Sequence, residues 1–171
     1  MTLTAPAGRF QAIAALALAI GMAITVGTAL GFEHLGGYIP CKLCLEQRTP
    51  YYVGIPLMMV AASAATLRLP GIVSRGLLLG GGLLMAYGAY LGVYHSGVEW
   101  AWWAGPTDCG VVDAPASGGS GGILDAINTV IPPSCDQAAG RFLGLSFAGW
   151  NVLASVALAS GAVIAALRRN A

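Results

Sequence analysis

GLLLGGGLLMAYGAYLGVY, residues 76–94, decides what kind of molecule this chain is. The run carries no charge over about 19 residues, close to the roughly 20 that an α-helix needs to cross a bilayer. Three more uncharged runs accompany it, at residues 11–30, 51–67 and 147–167. Inside lipid no water satisfies the peptide groups, so such runs have to be helical. Composition agrees: of 171 residues, 57% are hydrophobic and 9% charged, with a mean hydropathy of +0.75. The expectation is one all-α membrane domain over residues 1–171, a four-transmembrane-helix bundle with outer loops at about 31–50 and 95–146. The first run exceeds the roughly 7 to 15 apolar residues of a signal-peptide core, and no small-residue cleavage site follows it. The glycines from Gly76 to Gly82, with Gly88 and Gly92, read as places where helices approach closely. They follow no strand, which excludes a nucleotide-binding loop.

Charge sets the orientation. Arg9 precedes the first run, Arg68 and Arg75 bracket the link between the second and third, and Arg168 and Arg169 follow the fourth. The positive-inside rule assigns that face, and with it both termini, to the cytoplasm. Glu33, Glu46, Glu99, Asp108, Asp113, Asp125 and Asp136 all fall in the outer loops.

The cysteines lie in those outer loops too: Cys41 and Cys44 in the first, Cys109 and Cys135 in the second. An even number of thiols confined to the oxidising side points to disulfide chemistry. Four cysteines allow three pairings, and number alone does not choose. A C-x-x-C pair closes a ring too small to stabilise much, whereas a Cys109–Cys135 ring is long enough to matter. Cys41 and Cys44 therefore read as catalytic, and the second pair serves either purpose. In GYIPCKLCLEQRTPYY, residues 37–52, a helix starting after Pro40 puts Cys41, Cys44 and Arg48 on one face. Its free N–H groups and Arg48 would then favour a thiolate. Thr49-Pro50 offers a second start, which leaves the pair in a tight turn.

The second outer loop holds PASGGSGG, residues 115–122, a flexible-linker composition. ILDAINTVI, residues 123–131, follows it with apolar positions at helical spacing, and predicts a short amphipathic surface helix. A zinc site is not expected, because Cys109 and Cys135 stand 26 apart and no histidine pairs with them at ligand spacing. Transporters bury charges in their spans, and these spans have none. A structural membrane protein stapled by two disulfides is the bland alternative. Trp100, Trp102 and Trp103 read as interfacial anchors. Glu33 and His34 read as plain interfacial loop residues, and Glu99 as either that or a partner of His95.

Taken together, these residues resemble the DsbB family, membrane disulfide-generating oxidases that reoxidise the soluble oxidant DsbA. The likeness covers nearly the whole chain. It rests on C-x-L-C-x-x-x-R at Cys41 to Arg48, YHSGVEW at residues 94–100, a cysteine on each side of a short amphipathic stretch, and FLGLSFAGWN at residues 142–151. The resemblance implies a thiol:quinone oxidoreductase of the bacterial inner membrane, with its redox loops in the periplasm. It implies a relay in which Cys109–Cys135 takes electrons from a DsbA-like soluble partner, with Cys109 forming the mixed disulfide. Cys135 then exchanges with Cys41, and Cys44 faces ubiquinone or menaquinone through a thiolate–quinone charge-transfer contact. Arg48 and His95 match family residues beside the quinone. Neither a metal nor a nucleic acid enters. The second loop departs from the family in length and glycine content, which bears on how a partner docks. Vitamin K epoxide reductase-like enzymes share the four helices but carry their active pair late in the bundle. A thiol reductase of the same fold is the nearest rival.

Energetics favour a quinone as acceptor. A DsbA-type oxidant sits near about −120 mV and the glutathione pool at roughly −220 to −260 mV, so electrons would run uphill to glutathione. The acceptor has to be more oxidising than the DsbA-type oxidant itself, and a lipid-soluble quinone reaches a site at the membrane edge.

Overall fold

Long apolar runs with helix-compatible ends dictate what forms. In the computed structural model, residues 8–106 and 135–168 are described. They form α1 (Arg9–His34), α2 (Lys42–Glu46), α3 (Thr49–Thr66), α4 (Gly71–Glu99), a hairpin of β1 (Arg141–Phe142) and β2 (Leu145–Ser146), and α5 (Phe147–Leu167). Cys109, the glycine-serine linker and the expected surface helix at residues 123–131 lie outside the described residues.

Helices α1, α4 and α5 are each long and apolar enough to cross a membrane. Helix α3 is their match in direction of packing but is only 18 residues long, with Pro50, Tyr51, Tyr52 and Pro56 diluting its apolar character. The protein is thus a mainly helical, multi-pass membrane protein whose four long helices are not equivalent. α1 packs on α3, α3 on α4, α4 most extensively on α5, and α5 back on α1, which closes a ring.

The distribution of side chains is that of a protein solvated by lipid. The core is built from small and flexible residues: Ala15, Ala19, Met22, Met58, Ala61, Leu78, Met85 and Ala162. Bulky residues face outward instead, among them Ile13, Ile20, Ile24, Leu83 and Ile164. In water such a surface would drive association, whereas lipid tails solvate it without cost. Close contact follows from the glycines. A Cβ on Gly81 would meet Met58 Cε at 2.4 Å, and one on Gly92 would meet Val152 Cγ2 at 2.8 Å. Gly76, by contrast, has nothing within 4 Å, so the expected close approach is made by the later glycines of α4.

The two ends of the bundle differ. At one, Gln11 is fully buried and its Nε2 donates to Arg168 O at 3.2 Å, tying the start of α1 to the end of α5. Arg168 also lies over the Phe10 ring, 4.3 Å from its centroid. At the other end gather the last turn of α1, the start of α3, the last turns of α4 and the start of α5. The hairpin before α5 pairs Arg141 with Ser146 and Phe142 with Leu145. Its turn, Leu143–Gly144, has positive φ at both residues (51° and 84°), as a two-residue hairpin requires. Ser146 then caps α5, accepting from Gly149 N at 3.2 Å.

Candidate active site

Cys41 and Cys44 sit on a helix of their own. Cys41 is the N-cap of α2, in extended conformation, and its sulfur accepts from the Cys44 backbone N–H at 3.3 Å. The chain breaks at Gln47 and Arg48, and α3 begins at Thr49 with Pro50 in its first turn. Both starts foreseen in the sequence are therefore used, one for each helix. Five residues of α2 are too few for a sizeable helix dipole, so the expected help from a long helix is replaced by direct contacts.

Those contacts are specific. The two sulfurs lie 2.8 Å apart, with both cysteines free and Cys41 buried. His95, brought in from the last turns of α4, places Nε2 3.7 Å from Cys41 Sγ. The hydrogen bond from the Cys44 thiol is the largest influence on Cys41, and His95 adds to it against the opposing effect of burial. Together they bring the Cys41 pKa down from 9.0 to about 5. Cys44 moves the other way, because it is the donor to an anionic neighbour and is itself desolvated. Cys41 is thus the more acidic of the two, the reverse of the Cys44 thiolate that the family resemblance implied.

The fold also gathers what spacing in the sequence could not. The resemblance placed His95 beside the quinone site, and the structure brings the donor atoms of Cys41, Cys44 and His95 within 4.8 Å of one another. Cys135 is disulfide-bonded and joins Cys41, Leu43 and Val98 in one buried cluster. Cys44 packs against that cluster and also lines a cleft between α1, α3 and α5, with Phe32, Ile39, Phe147, Gln47, Arg48 and Tyr51 among others. It encloses roughly 650 Å³, including space open to the outside. Arg48 reaches into the cleft and forms an ion pair with Glu33 of α1.

The family model for disulfide bond formation protein DsbB matches residues 11–165 of this sequence. The chain belongs to the DsbB family. No curated protein and no solved structure matches it. Membership makes it a membrane oxidoreductase of disulfide-bond formation, and the DsbB-like segments Cys41–Arg48, residues 94–100 and residues 142–151 all converge on the thiol pair.

Within this DsbB-family site, several residues escaped the sequence reading. Glu33 is the Arg48 partner and part of the cleft wall rather than a plain loop residue. His34, also in the last turn of α1, is exposed. Gln47 is 6% exposed and hydrogen-bonds His95 Nδ1 at 2.7 Å. Asn151 of α5 donates to Gln47 Oε1 at 2.8 Å. Glu99 takes the second of its two foreseen roles, with Oε1 3.8 Å from His95 Nε2 and its side chain 4% exposed. Trp100, Trp102 and Trp103 stay exposed outside the cleft; Trp103 stacks on Tyr94 and donates to its carbonyl at 2.9 Å.

Proposed function

We propose that this protein spans the bacterial inner membrane four times, reoxidises a DsbA-like soluble thiol oxidase, and passes the electrons to a membrane quinone. The observation that carries the reading is the two-sided thiol pair. Cys41 shares a buried cluster with Cys135, while Cys44 opens on an apolar cleft that contains one guanidinium. A disulfide relay needs one thiol reachable from each side, and a single exposed pair would not separate the two exchanges.

The cleft has the chemistry that a quinone head requires. Aromatic and aliphatic walls from Phe32, Ile39 and Phe147 suit its ring, and Arg48 supplies a fixed, multi-donor cation for an oxygen that gains charge. Bound there, ubiquinone or menaquinone would supply a two-electron, two-proton acceptor. The chain's own residues do the rest. Cys109–Cys135 accepts two electrons from the partner dithiol by exchange, with Cys109 the site of the mixed disulfide. Reduced Cys135 then attacks Cys41, releasing Cys44, and Cys109 resolves the Cys135–Cys41 bond by re-forming Cys109–Cys135, which leaves Cys41 as thiolate and Cys44 as thiol and releases one proton. Formation of the Cys41–Cys44 bond releases two electrons and the Cys44 proton, and one further proton comes from water. Arg48 holds the developing negative charge, and Glu33 holds Arg48.

The test uses purified protein in detergent with a reduced DsbA-like protein and ubiquinone or menaquinone analogues, following quinone absorbance and partner thiols together. One quinone reduced per disulfide formed is expected. Partner reduction instead of oxidation would favour the reductase of the same fold. Cys109→Ser or Cys135→Ser should abolish partner oxidation while Cys41–Cys44 still forms. Retained turnover at normal protein levels would make the second pair purely structural.

A further inference from the structure

Gln47 and Asn151 carry no redox chemistry, yet their amides are packed where the thiol pair meets the bundle. Two backbone carbonyls, which can only accept, fix how these amides point. Leu43 O lies 3.2 Å from Gln47 Nε2, and Gly88 O lies 3.2 Å from Asn151 Nδ2. With the nitrogens so assigned, Asn151 Nδ2 donates to Gln47 Oε1 at 2.8 Å, and Tyr51 donates to Asn151 Oδ1 at 2.7 Å. The second hydrogen of Gln47 Nε2 then faces His95 Nδ1 at 2.7 Å. Nδ1 has to accept, so the imidazole proton goes on Nε2. That nitrogen faces Cys41 Sγ, at 3.7 Å.

We infer that Gln47 and Asn151 are positioning residues, which fix His95 as an Nε2–H donor aimed at the Cys41 sulfur. The inference rests on the reading of Cys41–Cys44 as the redox pair. Its physical basis is the cost of the reverse arrangement. Turning Gln47 over sets Oε1 against Leu43 O and a hydrogen-bearing nitrogen against Asn151 Nδ2. Turning Asn151 to relieve that sets Oδ1 against Gly88 O. Either way a buried group loses its partner. With the lock in place, Cys41 meets a donor whenever it is a thiolate; without it, Nε2 can turn a lone pair toward the anion. The other groups facing this point are Cys44 on α2 and Glu99 on α4, whose Oε1 is 3.8 Å from Nε2. Arg48 lies beyond Cys44, and Cys135, being disulfide-bonded, does not titrate.

Nitrogen NMR on isotope-labelled histidine in the full chain tests this directly. Only His34 and His95 are present, and His34→Gln removes the first. Reduced wild-type protein should show His95 with Nε2 protonated and Nδ1 bare. Gln47→Glu puts an acceptor at Nδ1 and should move a proton onto it. Asn151→Ala frees Gln47 and should give mixed tautomers, with the ultraviolet thiolate midpoint of Cys41 raised by about one pH unit. A proton on Nδ1 in the wild type, or an unchanged tautomer in both variants, would overturn the inference. If the variants fail to fold, the wild-type spectrum alone decides. Absent quinone turnover with the expected tautomers would count against the quinone reading and leave the positioning role standing.

Discussion

Arg48 shows at the scale of one residue how charge is used at a membrane edge. A guanidinium there can snorkel to water, but its ion pair with Glu33 keeps it in the cleft beside Cys44. A charge-assisted contact contributes about 1.5–3 kcal/mol, so its loss should raise the apparent Michaelis constant for quinone by about tenfold or more. Arg48→Ala should be worst, Arg48→Lys intermediate and Glu33→Gln mildest, with Cys109–Cys135 exchange unaffected in all three. Unchanged quinone kinetics in both Arg48 variants would return the residue to the interface. Cys41 gives a second expectation. Its pKa of about 5 against an ordinary 9.0 means the folded, reduced protein binds fewer protons than the unfolded chain between those values. Stability of the reduced form should therefore rise with pH across that window, and be lost as pH falls through about 5. Denaturant titration against Cys41→Ser, which should be flat over the same range, checks the sign. Cys41, Cys44 and Arg48 were legible because they share one short stretch. Glu33, Gln47 and Asn151 were not, because α1, the joint between α2 and α3, and α5 contribute them and only packing brings them together.

Among the elements, α4 sets the spacing of the bundle. Gly92 is pressed against Val152 and the Ala148 carbonyl of α5, the latter 3.2 Å from where a Cβ would stand. A backbone atom cannot swing aside, so Gly92→Leu should cost about 1–3 kcal/mol or more by forcing the helices apart. Gly76→Ala, with nothing within 4 Å, should instead be neutral or stabilise by about 0.5–1 kcal/mol, since alanine is the better helix former. Thermal unfolding in detergent compares them; equal losses would mean that α4 tolerates separation from α5. The sequence showed α4 as helical and glycine-rich, but not which glycines touch a neighbour. That depends on which face of α4 meets α3 and α5, and a helix apolar all round carries no amphipathic stripe to tell it.

For the whole molecule, orientation is the open quantity that charge predicts and geometry can test. Leu35, 91% exposed at the end that holds the thiols, and Leu67, 73% exposed at the other, are suitable positions for single cysteines in a cysteine-free background. Impermeant reagents should label Leu35→Cys only from the periplasmic side and Leu67→Cys only from the cytoplasmic side. Labelling of both from one side would remove α3 as a span and undo the four-span reading with it. The helical class was plain from the apolar runs, since lipid leaves the backbone few choices. The count of spans was less plain, because Pro50 and Tyr51, which are buried, together with the exposed Tyr52 and Pro56 make α3 the least lipid-like of the four.

The break between α2 and α3 has a mechanical meaning. Cys41 and Cys44 ride on a single turn that joins α3 through Gln47 and Arg48 rather than continuing into it. Opening and closing their bond can be absorbed by that joint, as a hinge isolates a latch from the door frame. The thiol pair can then cycle on every turnover without torque reaching the far ends of the bundle, where Gln11 clasps Arg168. On the proposed quinone reading, such a molecule would move electrons sideways into the membrane and send no conformational message across it.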